Sequence, residues 1–145
     1  MIVPGGPPAV PANGLLKNDK RVISLLASQM KEGRLVSAIC AAPSVLAEAG
    51  LSATATLPTA APLAPEARRC DGRAGAGVLE GKKHTAHFSV EQFVPAMDKA
   101  QAVVVDGNLI TSQGAGTATQ FGLALIAHLV SQKVADEVAA SICWK

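Results

Sequence analysis

The spacing of apolar residues predicts an amphipathic helix near the start of the chain. Between Lys17 and Glu32, four apolar positions recur at helical intervals, with lysine and arginine between them. These positions are Val22, Leu25, Leu26 and Met30. Asn13 or Asn18 is the expected N-cap of this helix, and Gly33 is its expected end.

A buried strand and a second helix are predicted next. The stretch RLVSAI (34–39) is short and apolar, and APSVLAEAG (42–50) predicts a helix with Pro43 in its first turn and Gly50 at its end. Upstream, Ile2 and Val3 resemble the last residues of a strand before a Pro-Gly-Gly turn. This alternation is typical of βαβ units and a parallel sheet.

The second half of the chain predicts a hairpin and two helices. AVVVDGNLITS (102–112) has two apolar runs around Asp-Gly-Asn, which favours a β-hairpin. GAGTATQFGLALIAHLVSQ (114–132) is a glycine-rich turn leading into a helix, and VADEVAASI (134–142) predicts a final short helix. The apolar positions of the longer helix are Phe121, Leu125, Ile126, Leu129 and Val130.

Residues Leu51 to Gly77 interrupt this pattern. The segment is rich in alanine, contains three prolines and has no sustained periodicity. We expect a single domain over residues 1–145, interrupted by an irregular insert at about 51–77.

Composition narrows the class of protein. The chain has 145 residues, of which 49% are hydrophobic and 17% charged, which is typical of a globular domain. A net charge of +2 and 3% aromatic residues argue against a surface for nucleic acid or anionic membrane. No apolar run is long enough to cross a membrane, and the start has no pattern of a secretory leader.

The cysteines predict a reducing, cytoplasmic environment. Cys40, Cys70 and Cys143 are odd in number and widely spaced, which disfavours a disulfide framework or a structural zinc site. Neither Cys70 nor Cys143 has a sequence environment that points to chemistry.

Cys40 is the strongest candidate for chemistry. It lies between a predicted strand and the next helix, where α/β proteins place their sites and where helix N–H groups stabilise a thiolate. The competing interpretation is a small buried core cysteine. Gly5-Gly6 after a strand could aim an N–H at an oxyanion, or form a plain turn.

The remaining candidates are weaker. GAGT (114–117) resembles a phosphate-binding turn but has no Lys-Ser/Thr after it, so a tight strand–helix turn is the favoured interpretation. His84 and His87 could reach a cysteine only through the fold, and His128 is expected at a surface or at the edge of the core.

Four motifs, in order and spacing, resemble the ThiJ/PfpI superfamily, and most closely its branch with the Parkinson-linked DJ-one protein. They are VPGG, AICAAPSVLAEAG, GKKHTAHF and VVVDGNLITSQGAGTATQFGLALI. The resemblance implies an α/β fold, specifically a flavodoxin-like three-layer sandwich with a mostly parallel sheet. It covers nearly the whole chain except Leu51 to Gly77.

The resemblance also implies a site. Cys40 matches the reactive elbow cysteine, His87 matches the nearby histidine, and Gly6 and Ala41 match backbone N–H donors facing the cysteine. No metal or other cofactor is implied. The implied activity is that of a glyoxalase or protein deglycase, with a small aldehyde or a glycated protein as substrate and a homodimer as the assembly.

Two features depart from the family pattern. The family's first βαβ portion, which carries a proton-shuttling glutamate, would precede Met1 together with any targeting peptide. Joining Gly50 to Val78 restores an uninterrupted pattern, so Ser52 to Gly77 is hypothesised to be a translated retained intron or a gene-model error. The alternatives to an enzyme are a redox-sensing or chaperone-like stress protein using Cys40, or an inactive truncated isoform.

Overall fold

A four-stranded sheet with helices on both faces forms the centre of the computed structural model, which describes residues 1–6, 16–53, 78–79 and 81–144. The strands are β1 (Ile2–Val3), β2 (Val36–Ile39), β3 (Val103–Asp106) and β4 (Leu109–Ser112). The helices are α1 (Lys20–Lys31), α2 (Pro43–Ala53), α3 (Ala118–Leu129) and α4 (Gln132–Ser141).

The sheet is mostly parallel, as predicted. Its strand order is β1-β2-β4-β3, with β1, β2 and β4 parallel and β3 antiparallel to β4. Ala38 on β2 lies opposite Val3 on β1 and Thr111 on β4. The predicted hairpin is confirmed, and Gly107 in its turn has φ +58°, a conformation that favours glycine.

The three layers follow from alternation along the central strands. Val36 and Ala38 on β2 and Leu109 on β4 belong to a core cluster that α1 and α2 complete. Ile110, the next residue on β4, joins Phe121 and Leu125 of α3 on the opposite face. Because successive side chains of a strand point to opposite faces, one sheet serves two cores. This arrangement confirms the predicted three-layer α/β fold.

Helix α1 is shorter than predicted, and three of its four predicted apolar positions, Val22, Leu26 and Met30, pack against the core. Its N-cap is Asp19, whose carboxylate accepts from the N–H of Arg21, so the expectation of Asn18 is wrong. Asn13 lies outside the described residues. Ile23 is buried, whereas the predicted core residue Leu25 is 47% exposed.

The predicted end of α1 is confirmed. Gly33 has φ +69°, its N–H donates to Met30, and the N–H of Arg34 donates to Gln29. This pair of hydrogen bonds is a Schellman motif, which closes a helix and sends the chain toward the next strand.

Helix α2 begins at Pro43, as predicted, but does not end at Gly50. It continues to Ala53, so the first three residues of the predicted insert are helical. Residues 54–77, with Cys70, lie outside the described residues. Val78 and Leu79 belong to the same core cluster as α2.

The two C-terminal helices form where predicted. Phe121 and Leu125 of α3 are buried, but Leu129 and Val130 are more than 60% exposed because the helix ends there. The last helix begins at Gln132, two residues before its predicted start, with Ser131 as its N-cap. Within the described ranges, no helix has the length and apolar character needed to cross a membrane.

Candidate functional site

Cys40 occupies a sharp turn between β2 and α2. It has φ +64°, in the left-handed region that non-glycine residues rarely adopt. Its N–H donates to the carbonyl of Ser112 at 2.9 Å, which ties the turn to the end of β4. A non-glycine residue in this conformation costs about 1–3 kcal/mol and persists only where its surroundings hold it. The side chain is half-buried and the thiol is free.

Gly5 packs directly against this turn. A Cβ built on Gly5 would lie 2.4 Å from the Cβ of Cys40 and 2.6 Å from the carbonyl oxygen of Ile39. No side chain fits at those distances, so the backbone after β1 can lie this close to the cysteine only because residue 5 is glycine. Gly6 follows immediately and is half-buried.

Ala41 carries an open backbone donor beside the cysteine. The N–H groups of Cys40, Ala42 and Ser44 all donate to backbone carbonyls. The N–H of Ala41 has no backbone acceptor within the described part of the chain. Ala41 is fully buried. An N–H in this position has the geometry to donate to an oxygen bound beside the cysteine.

The segment from Lys82 to His87 runs beside the elbow and is held at several points. The N–H of Thr85 donates to Thr111 Oγ1 at 2.8 Å, and Thr85 Oγ1 donates to the carbonyl of Asp98 at 2.6 Å. At its end, the N–H of His87 donates to the carbonyl of Cys40 at 2.8 Å. The predicted proximity of His87 to the cysteine is therefore present in the backbone.

Two carboxylates anchor this region. The N–H of Lys83 donates to Asp106 Oδ2 at 2.7 Å, and this bond, with the charge of Lys82, lowers the pKa of Asp106. Asp98 accepts from the N–H groups of Ala100 and Gln101, which lowers the pKa of that carboxyl as well. Both carboxylates are therefore ionised at neutral pH.

The His87 ring is fixed by its neighbours. Its Nδ1 lies 2.5 Å from Ser89 Oγ and 3.3 Å from the backbone N of Ser89. His87 thereby caps the start of the 3-10 turn Phe88–Val90. The Phe88 ring lies against the His87 ring, with centroids 4.2 Å apart. Gly114 is also close to the ring, since a Cβ built on it would lie 3.4 Å from His87 Cδ2.

His87 faces a cavity of about 540 Å³. One wall comes from the residues around His87, and the other from the loop after β4. The lining residues are Ala86, His87, Phe88, Met97, Lys99 and the run 113–117. Cys40 is not among them. The two predicted catalytic residues are therefore in contact through their backbones, but only His87 lines the cavity.

The loop after β4 is a tight turn, as the favoured interpretation of GAGT predicts. Thr117 Oγ1 donates to the carbonyl of Gly114 at 2.9 Å and accepts from the N–H of Gly114 at 3.1 Å. Ser112 Oγ lies 2.6 Å from the same atom. Thr117 thus shapes the wall of the cavity opposite His87.

The other candidates lie elsewhere. His84 is buried, with Nδ1 2.7 Å from the carbonyl of Lys82, and His128 is exposed on α3, as expected. Cys143 is an exposed free thiol near the end of the chain. Among the described residues, no group of three or more histidine, cysteine or acidic side chains could hold a metal ion.

Several contacts at the site escape sequence reasoning. Ser89, the hydrogen-bond partner of His87, stands two residues away in an ordinary stretch, and no spacing rule singles it out. Thr117 was part of the quoted GAGT motif, but its role in closing the loop depends on the local turn. The position of Ser112 beside Cys40 depends on strand register, and the parallel pairing of β2 with β4 could have indicated it.

The sequence matches a known family over most of its length. The model of the DJ-1/PfpI family matches residues 1–65 and 70–128. Protein DJ-1alpha of Drosophila melanogaster is 32% identical over 149 aligned positions, covering 99% of this chain and 54% of that protein. Protein DJ-1 homolog A of Arabidopsis thaliana is 31% identical over 97% of this chain and 29% of its own length.

Solved structures show the same fold. The crystal structure of Drosophila melanogaster DJ-1beta aligns with a TM-score of 0.69 at 28% identity, covering 99% of this chain and 64% of that one. Schizosaccharomyces pombe DJ-1 aligns with a TM-score of 0.65 at 26% identity, covering 97% and 60%. The chain thus spans about half the length of the first of these relatives. The family model covers most of the sequence, and this chain belongs to the DJ-1/PfpI family.

Proposed function

We propose that the chain carries the site of a cysteine-dependent glyoxalase or protein deglycase with a role in the response to oxidative stress. Its substrates are small dicarbonyls such as methylglyoxal and glyoxal, or the early adducts they form on proteins. Cys40 is the nucleophile, the N–H groups of Ala41 and Gly6 are oxyanion donors, and His87 binds a substrate oxygen. No metal or other cofactor takes part in this scheme.

The chemistry balances with water as the only co-reactant. The Cys40 thiolate adds to the aldehyde carbon of methylglyoxal and forms a hemithioacetal. The proton on that carbon then moves to the neighbouring carbon by way of a base, which converts the hemithioacetal to a thioester. Water hydrolyses the thioester, releasing lactate and the thiol. In a deglycase, the same steps begin from an adduct and also release the protein amine.

The observation that carries the proposal is the strained turn at Cys40. A positive φ at a cysteine between a parallel strand and a helix is the geometry of a nucleophile elbow, which holds the reactive atom above the sheet. The open N–H of Ala41 next to it supports the assignment, since an oxyanion formed at the substrate carbon needs such a donor.

The test is lactate formation from methylglyoxal. Wild type should form lactate, and C40S should abolish it because serine is a far weaker nucleophile at neutral pH. C143S serves as the matched control, since Cys143 is an exposed thiol outside the elbow, and it should keep full activity. Lactate formation that survives C40S, or that is absent from wild type, would reject the proposal.

A redox sensor is the second candidate function. It is favoured by the same half-buried free thiol and by the Ala41 N–H, which could bond an oxygen of an oxidised cysteine. Limited peroxide treatment should then add the mass of oxygen at Cys40 while wild type forms no lactate from methylglyoxal. The homodimer implied by the family resemblance and the cytoplasmic location inferred from the cysteines both stay predictions.

A further inference from the structure

The contacts of the His87 ring select one of its two neutral tautomers. The backbone N–H of Ser89 points at Nδ1 from 3.3 Å, and a backbone N–H can only donate. Nδ1 therefore accepts, and the Ser89 hydroxyl, 2.5 Å away, donates to the same nitrogen. A neutral imidazole has a single N–H proton, which then resides on Nε2.

The second ring nitrogen is left for a ligand. Phe88 lies against one side of the ring, and the backbone at Gly114 lies near Cδ2, the atom bonded to Nε2. Among the described residues no hydrogen-bond partner is found for Nε2. His87 lines the cavity, so this N–H is a donor at the edge of an open space.

The composition of the cavity limits what it can hold. Phe88, Met97 and Ala115 give it apolar walls, and its volume is within the usual range for small-molecule sites. Lys99 at the rim pairs with Glu91 at 2.6 Å, but both side chains are at least half exposed, so the pair contributes little and exchanges readily. A ligand with a short apolar body and an oxygen that accepts a hydrogen bond matches these features.

We propose that Ser89 is a positioning residue that keeps the His87 proton on Nε2, so that the cavity binds small carboxylates and carbonyl compounds through an acceptor oxygen. This rests on the proposed function only in identifying that oxygen with a substrate or product. It assigns His87 a hydrogen-bond donor role, and the proton transfer between carbons then belongs to another group.

The experiment is ¹⁵N NMR of histidine-labelled protein at about pH 8, where an unperturbed imidazole is neutral. H87Q identifies the His87 resonances among those of the three histidines. Wild type and S89T should carry the proton on Nε2. S89A, which retains only the longer backbone contact, should populate both tautomers.

Ligand binding is read from the same spectra. Sodium lactate should shift the His87 Nε2 resonance saturably, whereas isopropylammonium, which has a similar apolar body but no acceptor, should not. S89A should weaken lactate binding about two-fold, because about half of the His87 rings then carry the proton on Nδ1 and cannot donate from Nε2, and S89T should restore it. A proton on Nδ1 in wild type, equal shifts with both probes, or unchanged binding in S89A would overturn the proposal.

These spectra do not require turnover, so the two proposals fail separately. Cys40-dependent lactate formation with the proton on Nδ1 rejects the role of Ser89 alone. The predicted tautomer and lactate binding in a protein that forms no lactate reject the enzyme alone.

Discussion

The N–H of His87 donates to the carbonyl of Cys40 at 2.8 Å, while the N–H of Cys40 donates to Ser112 at 2.9 Å. Both backbone groups of the cysteine are therefore bonded to segments distant in sequence. This explains how a non-glycine residue keeps φ +64°. It also couples the elbow to the histidine segment, since moving either would break the bond they share.

Replacing Gly5 with alanine should distort the elbow while leaving the Cys40 thiol in place. The new Cβ would overlap Cys40 Cβ and the Ile39 carbonyl, so the backbone must shift, at a cost of about 1–3 kcal/mol in the free energy of unfolding. We expect a lower urea midpoint and faster alkylation of Cys40, because the displaced backbone packs less closely on the half-buried thiol, measured in a C70S/C143S background.

The matched control for that substitution is G33A. Gly33 also resists a side chain, because φ is +69°, but nothing lies within 4 Å of the position of its Cβ. G33A should lower stability by about 1 kcal/mol and leave the alkylation rate of Cys40 unchanged. Equal alkylation rates in G5A and wild type would contradict the close packing of Gly5 on the elbow.

The protein should be more stable with glycine at position 40 than with alanine there. Both substitutions remove the thiol, but only glycine adopts φ +64° without the steric cost of a Cβ. After the greater flexibility of glycine in the unfolded chain is subtracted, C40G should exceed C40A by about 1 kcal/mol in urea unfolding. C40A at least as stable as C40G would mean that the turn is not strained.

The sheet and the elbow could be predicted because each rests on local patterns. Alternating apolar runs gave the positions of β2, the hairpin and α3, and a cysteine between a strand and a helix pointed to Cys40. The N-cap of α1 could not be decided in the same way, because Asn18 and Asp19 are adjacent and both suit that position. Which of them caps depends on where the helix meets the core.

Other features depend on contacts that no local pattern encodes. Ile23 and Leu25 are two residues apart and therefore lie on nearly opposite sides of α1, and the side that packs on the core carries Ile23 with Val22, Leu26 and Met30. The end of α2 at Ala53 shows that Gly50 is not a stop, since a glycine ends a helix only where the chain turns. The hypothesis of a retained intron falls largely on 54–77, outside the described residues.

The stability supplied by Asp106 should depend on pH in a defined direction. Its pKa is lowered below the ordinary 3.8, first by the N–H of Lys83 and then by the charge of Lys82. A lowered pKa in the folded state adds stability above the unfolded value, and that stability is lost as the pH falls through the folded value. Wild type should therefore exceed D106N in stability at pH 7, and the difference should shrink below about pH 4.

Urea unfolding of both proteins at several pH values measures this difference. D136N serves as the control, because Asp136 is exposed on α4 and its side chain accepts from Gln132 on the same helix. A gap between wild type and D106N that stays constant from pH 7 to the acid range would show that the Lys83 contact does not depend on the charge.

Thr117 should control the shape of the cavity through its hydroxyl. Oγ1 bonds both the N–H and the carbonyl of Gly114 and lies 2.6 Å from Ser112 Oγ. T117V keeps the volume of the side chain but leaves the Gly114 N–H without this acceptor, whereas the Gly114 carbonyl still accepts from the backbone N–H of residue 117 and Ser112 Oγ still donates to Ala102. We expect a loss of about 1–3 kcal/mol in the free energy of unfolding. T117S keeps the hydroxyl and should lose much less stability.

The Gly114 backbone lies near His87 Cδ2, so T117V should also shift the His87 ring resonances, whereas T117S should not. Identical His87 spectra in T117V and wild type would show that the loop keeps its shape without the hydroxyl.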